Sequence, residues 1–326
     1  MDRPPRGREE RERDVSLPSR VQIVEVGLRD GLQSEPEFVP TDTKAAILNE
    51  LIAAGVRHIE ATSFVSPRAV PQMRDAAELL ALADKRPGVV LSALAPNPRG
   101  VERALASRAD EVVVFLSASE SHNRKNLNRS VEQSLRDIDD VAALLQEHPM
   151  RRKGAIAVAF GCPFEGDVDI ATLKTIVAEF ARLDFDAVTL GDTTGMATPR
   201  LVRKTVDALR AAFPAMDFSL HFHNTRGLGL VNVVEGLHAG ITSFESSLGG
   251  LGGCPFAPGA TGNVCTEDTV NLLHEMDIET GIDLAALIQA SRHLEQVMKR
   301  PLSGQVMKAG PRLALHDYDG AVAAVG

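Results

Sequence analysis

Two histidines, His221 and His223, stand two residues apart at the end of a short apolar run, residues 218–223. Successive side chains of a β-strand point to opposite faces, so residues two apart share a face. A single histidine in a strand is usually a hydrogen-bonded core residue, whereas two in register favour a metal site. Asp30 would add a carboxylate and Asn263 an amide oxygen. This donor set suits octahedral Mg²⁺ or Mn²⁺ better than zinc.

Other polar residues also fall where apolar runs end. Arg29 and Asp30 follow the first run, Glu60 lies in the second, and Asp192 closes the sixth. Charged side chains at the ends of buried strands are unusual unless they serve a site. We therefore interpret Arg29, Glu60 and Asp192 as candidates for the same site as the histidines.

A glycine segment, residues 249–253 (GGLGG), is followed by Cys254. Glycine adopts backbone conformations closed to other residues and lets the chain approach a ligand closely. The segment is either a flexible turn or a lid that holds the Cys254 thiol over the ligand. Cys162 and Cys265 are interpreted as small apolar core residues.

The net charge of −9 argues against a nucleic-acid footprint. An acidic protein binds an anionic ligand only through a local basic patch. Arg124, Lys125 and Asn126, just after the fourth apolar run, form the candidate patch. They are either a phosphate-binding loop or an ordinary solvated loop.

The elements that must position these residues are eight short apolar runs alternating with amphipathic stretches. This alternation predicts right-handed βαβ units and a parallel sheet, and eight units favour a (β/α)8 TIM barrel. An extra C-terminal helix is predicted at residues 284–299. We expect a disordered arm at 1–18, one catalytic domain at 19–300 and an irregular tail at 301–326. The predicted strands are residues 21–27, 58–64, 89–95, 111–118, 154–160, 187–192, 218–223 and 243–249.

Several functional classes are excluded. No apolar run reaches the ~18 residues of a membrane span, and the charged first fourteen residues resemble no secretory signal. Three cysteines suit a reducing compartment. Because no targeting signal is recognised, the default expectation is a cytoplasmic protein. The glycine-rich and serine-elbow motifs of dinucleotide-binding enzymes and α/β-hydrolases do not occur.

Several segments resemble the 3-hydroxy-3-methylglutaryl-CoA lyases, members of a metal-dependent barrel superfamily that also contains isopropylmalate synthases and 4-hydroxy-2-oxovalerate aldolases. The resemblance covers roughly residues 20–300, and the glycine segment ending in Cys-Pro is its most specific motif. The segments are residues 24–33 (VEVGLRDGLQ), 63–67 (SFVSP), 70–73 (VPQM), 161–166 (GCPFEG), 190–193 (LGDT), 249–255 (GGLGGCP), 262–263 (GN) and 266–268 (TED).

The resemblance implies a divalent-metal-dependent carbon–carbon lyase acting on an acyl-CoA, and a homodimer. Its implied metal ligands are Asp30, His221, His223 and Asn263. It implies that Arg29 stabilises an enolate, that Cys254 lies on a lid, and that Glu60 and Asp192 support the site. The phosphate proposed at residues 124–126 would then belong to CoA.

Departures from the family pattern concern the acyl pocket. Leu28 replaces the usual proline, Pro36 stands where many members have lysine, and Arg68-Ala69 replaces a Lys-Trp pair. Residues 224–227 read NTRG instead of DTYG. The alternatives are therefore another substrate such as citramalyl-CoA or a longer 3-substituted glutaryl-CoA, and a Claisen-type synthase. A catalytically dead scaffold predicts lost ligands, and the implied ligands are all present.

Overall fold

The computed structural model describes residues 17–253 and 262–315. Within these ranges eight parallel strands close into a barrel, each paired with its neighbours in chain order. The predicted (β/α)8 architecture is confirmed. The strands are β1 Gln22–Glu25, β2 His58–Ser63, β3 Val90–Leu94, β4 Glu111–Ser117, β5 Arg151–Ala157, β6 Ala187–Asp192, β7 Asp217–Phe222 and β8 Ser243–Ser246.

Helices surround the barrel and cover the outward faces of its strands. Within the two described ranges none of them combines the length and the hydropathy that a membrane span requires. The α-helices are α1 Thr41–Ala53, α2 Ala76–Ala81, α3 Pro98–Leu105, α4 Glu120–Leu127, α5 Val131–Leu145, α6 Ile170–Arg182, α7 Pro199–Ala212, α8 Gly229–His238, α9 Thr266–Glu275, α10 Leu284–Met298 and α11 Val306–Ala309.

Three predicted strands end two or three residues early: β1, β5, which ends at Ala157 instead of residue 160, and β8. At β1 and β8 the chain turns at the mouth of the barrel. The first was expected to reach residue 27, but β1 ends at Glu25 and a π-helical turn, Gly27–Gly31, follows it. The eighth was expected to reach residue 249, but β8 ends at Ser246 and a 3₁₀ turn, Leu248–Gly250, follows. Both turns lie at the C-terminal ends of the strands, where barrel enzymes place their sites.

The inside of the barrel is polar as well as apolar. In β2 the alternate residues His58, Glu60 and Thr62 are buried, and His58 Nε2 lies 2.8 Å from Glu111 Oε1 on β4. Buried charged groups are tolerated only when they are paired and hydrogen-bonded. The barrel interior therefore holds buried ionic pairs in addition to the extensive apolar core.

The extra C-terminal helix is confirmed as α10. Asp283 caps its first turn by accepting hydrogen bonds from the amides of Ala285 and Ala286, and Lys299 ends it in a left-handed conformation (φ 52°). The helix packs outside the barrel against α1 and the 3₁₀ turn. The stretch after residue 301, predicted to be irregular, contains the short helix α11.

Candidate active site

Strand β7 brings the two histidines together. His221 is the penultimate residue of β7 and His223 follows the strand, while Phe222 between them is buried in the core. Their Nε2 atoms lie 3.1 Å apart, and both side chains are buried. The two rings therefore direct nitrogens toward one point, as predicted from their spacing.

Asp30 reaches the same point from the π-helical turn. The amides of Arg29, Asp30 and Gly31 all donate to the carbonyl oxygen of Val26, at 3.1, 2.7 and 3.3 Å. This wide turn holds the Asp30 carboxylate at the mouth, where one ligand atom each from Asp30, His221 and His223 lie within 4.8 Å of one another. Such turns are frequent at functional sites.

Asn263 closes the cluster. Its Nδ2 donates to Asp30 Oδ2 at 2.7 Å and to the Leu251 carbonyl oxygen at 3.0 Å. Its Oδ1 is buried and, within the described residues, has no hydrogen-bond partner. A buried acceptor without a donor costs free energy unless something else satisfies it. One carboxylate, two imidazoles and this orphaned amide oxygen fit a divalent cation with open positions.

The protonation states of Asp30 and His223 also fit a cation, whereas burial lowers the pKa of His221 but the hydrogen bond and charge of Glu245 raise it above its ordinary value. Burial raises the pKa of Asp30, but the charges of Arg29 and the histidines outweigh burial and hold this pKa at about 2. Burial and the neighbouring His221 lower the pKa of His223 to about 3. Asp30 is therefore ionised and His223 neutral at pH 7, which are the forms that bind metals.

The sequence did not reveal Glu245, which orients His221. Its Oε2 lies 2.9 Å from His221 Nδ1, and its Oε1 accepts from Lys153 Nζ at 2.7 Å and from Thr189 Oγ1 at 2.6 Å. A carboxylate on Nδ1 leaves Nε2 to face the cluster. Glu245 is a charged residue inside the predicted strand 243–249, and Lys153 directly precedes the predicted strand 154–160. A charge at such a position is a signal that could have indicated both residues.

Arg29 is held at the mouth by two carboxylates. Its Nε donates to Glu60 Oε1, and its Nη1 donates to Asp30 Oδ1 at 2.6 Å. Burial raises the pKa of Glu60, the charge of Arg29 lowers it and that of Glu245 raises it, and the net shift is upward. Arg29 and Glu60, predicted as site residues, are thus in direct contact, and the guanidinium is a fixed positive charge beside the cluster.

Asp192 is the last residue of β6, and only one of its two carboxylate oxygens accepts hydrogen bonds from described residues. Its Oδ1 accepts from the amides of Met196 and Ala197 at 2.6 and 2.8 Å, whereas Oδ2 is buried without a hydrogen-bond partner among the described residues. Burial raises the pKa of Asp192 to about 7, against the lowering effect of these amides. A carboxyl group with such a pKa is suited to proton transfer near neutral pH.

The glycine segment approaches the cluster closely. Gly252 has φ +103°, and a Cβ atom there would lie 2.8 Å from Asn263 Nδ2, so glycine is required on both counts. Two buried carboxylates anchor the start of the segment: Glu25 accepts from the amide of Leu248 at 2.9 Å and Glu267 from that of Gly249 at 3.0 Å. Cys254, predicted for the lid, lies outside the described residues.

The prediction that residues 124–126 form a loop is wrong. Arg124, Lys125 and Asn126 lie on helix α4. Ser119 caps the start of this helix, because its side-chain oxygen accepts a hydrogen bond from the amide of His122. Arg124 forms an exposed ion pair with Glu120 at 2.7 Å. The Nζ of Lys125 lies 4.8 Å from the centre of the Phe164 ring.

Comparisons with known proteins agree with this geometry. The HMGL-like family model matches residues 20–294. Hydroxymethylglutaryl-CoA lyase YngG of Bacillus subtilis is 44% identical over 288 residues, which cover 88% of this chain and 96% of that protein. The 3-hydroxy-3-isohexenylglutaryl-CoA/hydroxymethylglutaryl-CoA lyase of Pseudomonas aeruginosa is 41% identical over 295 residues, 90% of this chain and 98% of that one.

A solved structure has the same fold over nearly its full length. The HMG-CoA lyase of Acinetobacter baumannii, in complex with coenzyme A and 3-methylmalate, superposes with a TM-score of 0.87 at 42% identity. The superposition covers 92% of this chain and 98% of that one. The family match over residues 20–294 includes every strand that contributes to the cluster.

Proposed function

This chain belongs to the HMGL-like family, and we propose that it cleaves 3-hydroxy-3-methylglutaryl-CoA to acetyl-CoA and acetoacetate. The observation that carries the proposal is the contact between Arg29 and Asp30, which places a fixed cation beside the Asp30, His221 and His223 cluster. A carbon–carbon lyase of this type needs a site for the hydroxyl and carboxylate of the substrate, and a positive charge for the enolate that leaves.

Asp30, His221, His223 and Asn263 would hold the divalent cation, for which the oxygen-containing donor set favours Mg²⁺ or Mn²⁺. When bound, such an ion supplies Lewis acidity that orients the substrate and acidifies its C3 hydroxyl. The remaining tasks fall to the side chains of the protein itself.

Asp192 is the proposed proton acceptor. Its unpartnered Oδ2 would take the proton of the C3 hydroxyl, and its pKa of about 7 suits a base at neutral pH. The C2–C3 bond then breaks, the hydroxyl carbon becomes the ketone of acetoacetate, and the electron pair moves into the thioester enolate. Arg29 neutralises the enolate oxygen, and Cys254 is proposed to deliver a proton to C2.

The CoA moiety is proposed to pass over the rim near α4. Arg124, Lys125 and Asn126 lie on this helix after β4, at the same end of the barrel as the cluster, and are candidates for contact with a phosphate. Arg124 already has an anionic neighbour in Glu120, so a phosphate would approach α4 from its exposed face.

A second substrate is favoured by one observation. A cavity of about 320 Å³ opens at the ends of β5, β6 and β7 and is lined by Phe164, Met196 and Arg226 among others. Arg226, one of the departures from the family pattern, donates to the carbonyl oxygens of Thr194 and Gly195 at 2.9 and 2.8 Å. Such a cavity would admit a longer 3-substituent, as in 3-hydroxy-3-isohexenylglutaryl-CoA.

The test is an assay of metal-stripped protein with 3-hydroxy-3-methylglutaryl-CoA, with and without Mg²⁺ or Mn²⁺, following acetyl-CoA release. Cleavage that requires the ion, with a kcat above about 1 s⁻¹, is the expected result. Faster metal-dependent cleavage of the isohexenyl or citramalyl thioester would favour the second substrate. If none of the three thioesters is cleaved by the metal-loaded protein, the lyase proposal is wrong.

A further inference from the structure

A cleft lined by arginines opens at the same end of the barrel as the candidate active site and takes no part in the chemistry described above. It has a volume of about 670 Å³ and lies between the loop after β2 and the start of α3. We name it the arginine cleft; its lining includes Phe64, Ser66, Arg68, Asn97, Arg99 and Arg103.

No carboxylate in the described part of the chain forms an ion pair with the arginines of the arginine cleft. Arg103 donates only to the carbonyl oxygens of Phe64 and Val65, at 3.4 and 3.2 Å, and its guanidinium lies 5.1 Å from the Phe64 ring centre. Across residues 17–253 and 262–315, no carboxylate forms an ion pair with Arg68, Arg99 or Arg103, although many other arginines have one. Three such cations around a concave surface are unusual in a chain of net charge −9.

The position of the arginine cleft connects it to the site. Phe64 follows β2, and its amide donates to Leu94 at the end of β3 at 2.7 Å, so the cleft lies at the C-terminal ends of these two strands. Strand β2 also carries Glu60, which holds Arg29. A ligand whose reacting end lies at Arg29 would need a long tail to reach the arginine cleft. The far end of that tail would have to be anionic to match the arginines.

We infer that the arginine cleft binds phosphates of the nucleotide end of the acyl-CoA, in addition to any phosphate that contacts α4. The inference rests on the proposed function. In CoA, the long pantetheine arm joins the thioester to a diphosphate and a 3′-phosphate, which are the anionic groups that the cleft would hold. The planar guanidinium fork of arginine matches phosphate oxygens in a bidentate manner. Arg68 and Arg99 are the exposed members that make these contacts, while Arg103 also supports the loop after β2.

The experiment compares two substrates in the Arg68→Gln and Arg99→Gln variants. One substrate is 3-hydroxy-3-methylglutaryl-CoA, and the other is the same acyl group on pantetheine, which lacks every phosphate. Each substitution raises KM for the CoA thioester about tenfold, the loss of one charge-assisted hydrogen bond, with kcat unchanged. KM for the pantetheine thioester stays at the wild-type value in both variants.

One control variant and one variant of the α4 phosphate candidates keep the result specific. Arg86→Gln removes an exposed arginine just before β3, at the N-terminal end of the barrel strands and away from the arginine cleft. This variant leaves both KM values unchanged. Arg124→Gln removes the ion-paired arginine of α4. A KM increase for the CoA thioester in Arg124→Gln alone, with none in the arginine-cleft variants, would overturn the inference.

Binding of free CoA, measured by calorimetry, separates this inference from the proposed function. If no thioester is cleaved but both arginine-cleft variants weaken CoA binding about tenfold, the lyase proposal fails while the phosphate site stands. Equal Kd values for CoA in wild type and both variants would refute the site even in an active lyase. Weakened binding of inorganic phosphate with unchanged CoA binding would likewise refute it, in favour of free phosphate.

Discussion

Replacing Glu245 with glutamine removes the anion that holds both Lys153 and His221 inside the barrel. The Lys153–Glu245 pair is 2.7 Å long with side chains only 4% and 5% exposed, and the other carboxylate oxygen lies 2.9 Å from His221 Nδ1. Glutamine keeps the volume of the side chain but cancels its charge. We expect two separable losses, one in folding stability and one in metal affinity.

The two losses have different magnitudes. Breaking a buried ion pair by removing one partner costs about 3–5 kcal/mol, because Lys153 remains buried as an uncompensated charge. Loss of the carboxylate that orients a metal-binding imidazole lowers metal affinity roughly 10–100-fold. The pKa of His221, which burial lowers but the Glu245 hydrogen bond and charge raise above its ordinary value, should also fall in the variant.

Urea unfolding and Mn²⁺ calorimetry measure the two losses. The double variant Glu245→Gln with Lys153→Met removes the stranded cation and should regain most of the stability, but not the Mn²⁺ affinity. Glu179→Gln breaks an exposed ion pair with Arg182 on α6 and serves as the control, with a change below about 0.5 kcal/mol. The reasoning is refuted if Glu245→Gln binds Mn²⁺ within twofold of wild type.

Three further predictions concern the cluster, the anchor of the glycine segment and the barrel wall. His223→Gln removes one of the imidazole nitrogens of the cluster and should weaken Mn²⁺ binding at least tenfold by calorimetry, while CoA binding stays unchanged. Burial raises the pKa of Glu267 from 4.5 to about 7, so its contribution to stability is complete below pH 4.5 and is lost as the pH rises through 7. Glu267→Gln, which preserves an acceptor for the amide of Gly249, should therefore gain about 3 kcal/mol relative to wild type between pH 4.5 and 8 in urea unfolding, and a constant difference would contradict this. Gly154→Ala would place a Cβ atom 2.8 Å from the Phe180 ring and should cost about 1–3 kcal/mol in thermal unfolding, and an unchanged Tm would show that the ring moves freely.

The helix predicted as a loop shows one limit of sequence patterns. Helix α4 reads ESHNRKNL and has hardly any apolar periodicity, so its sequence indicated a solvated loop. The helix forms because Ser119 caps it and because the buried side chain of Asn123 accepts from the amide of Ser117 at 2.9 Å and donates to Ser134 at 2.8 Å. These contacts come from neighbouring elements, and tertiary packing overrides weak local propensity.

Local periodicity determined much of this protein. The alternation of eight strands with helices follows from patterns within single segments, and so does the shared face of His221 and His223, because a strand repeats every two residues. The position of Asp30 beside them was inferred because the C-terminal ends of parallel strands meet at one end of a barrel. These properties need no knowledge of side-chain partners.

Closure of the barrel decided the rest. Lys153 and Glu245 are 92 positions apart, on β5 and β8, which are not neighbours in the sheet, and they meet only across the barrel interior. The π-helical turn that presents Asp30 likewise depends on long-range packing, because Gly27 and Gly31 lie against Ser247. Pairings between distant segments leave no periodic signal in either one, and in the low-dielectric interior of the barrel they shift the pKa values of groups such as Asp30 and His221.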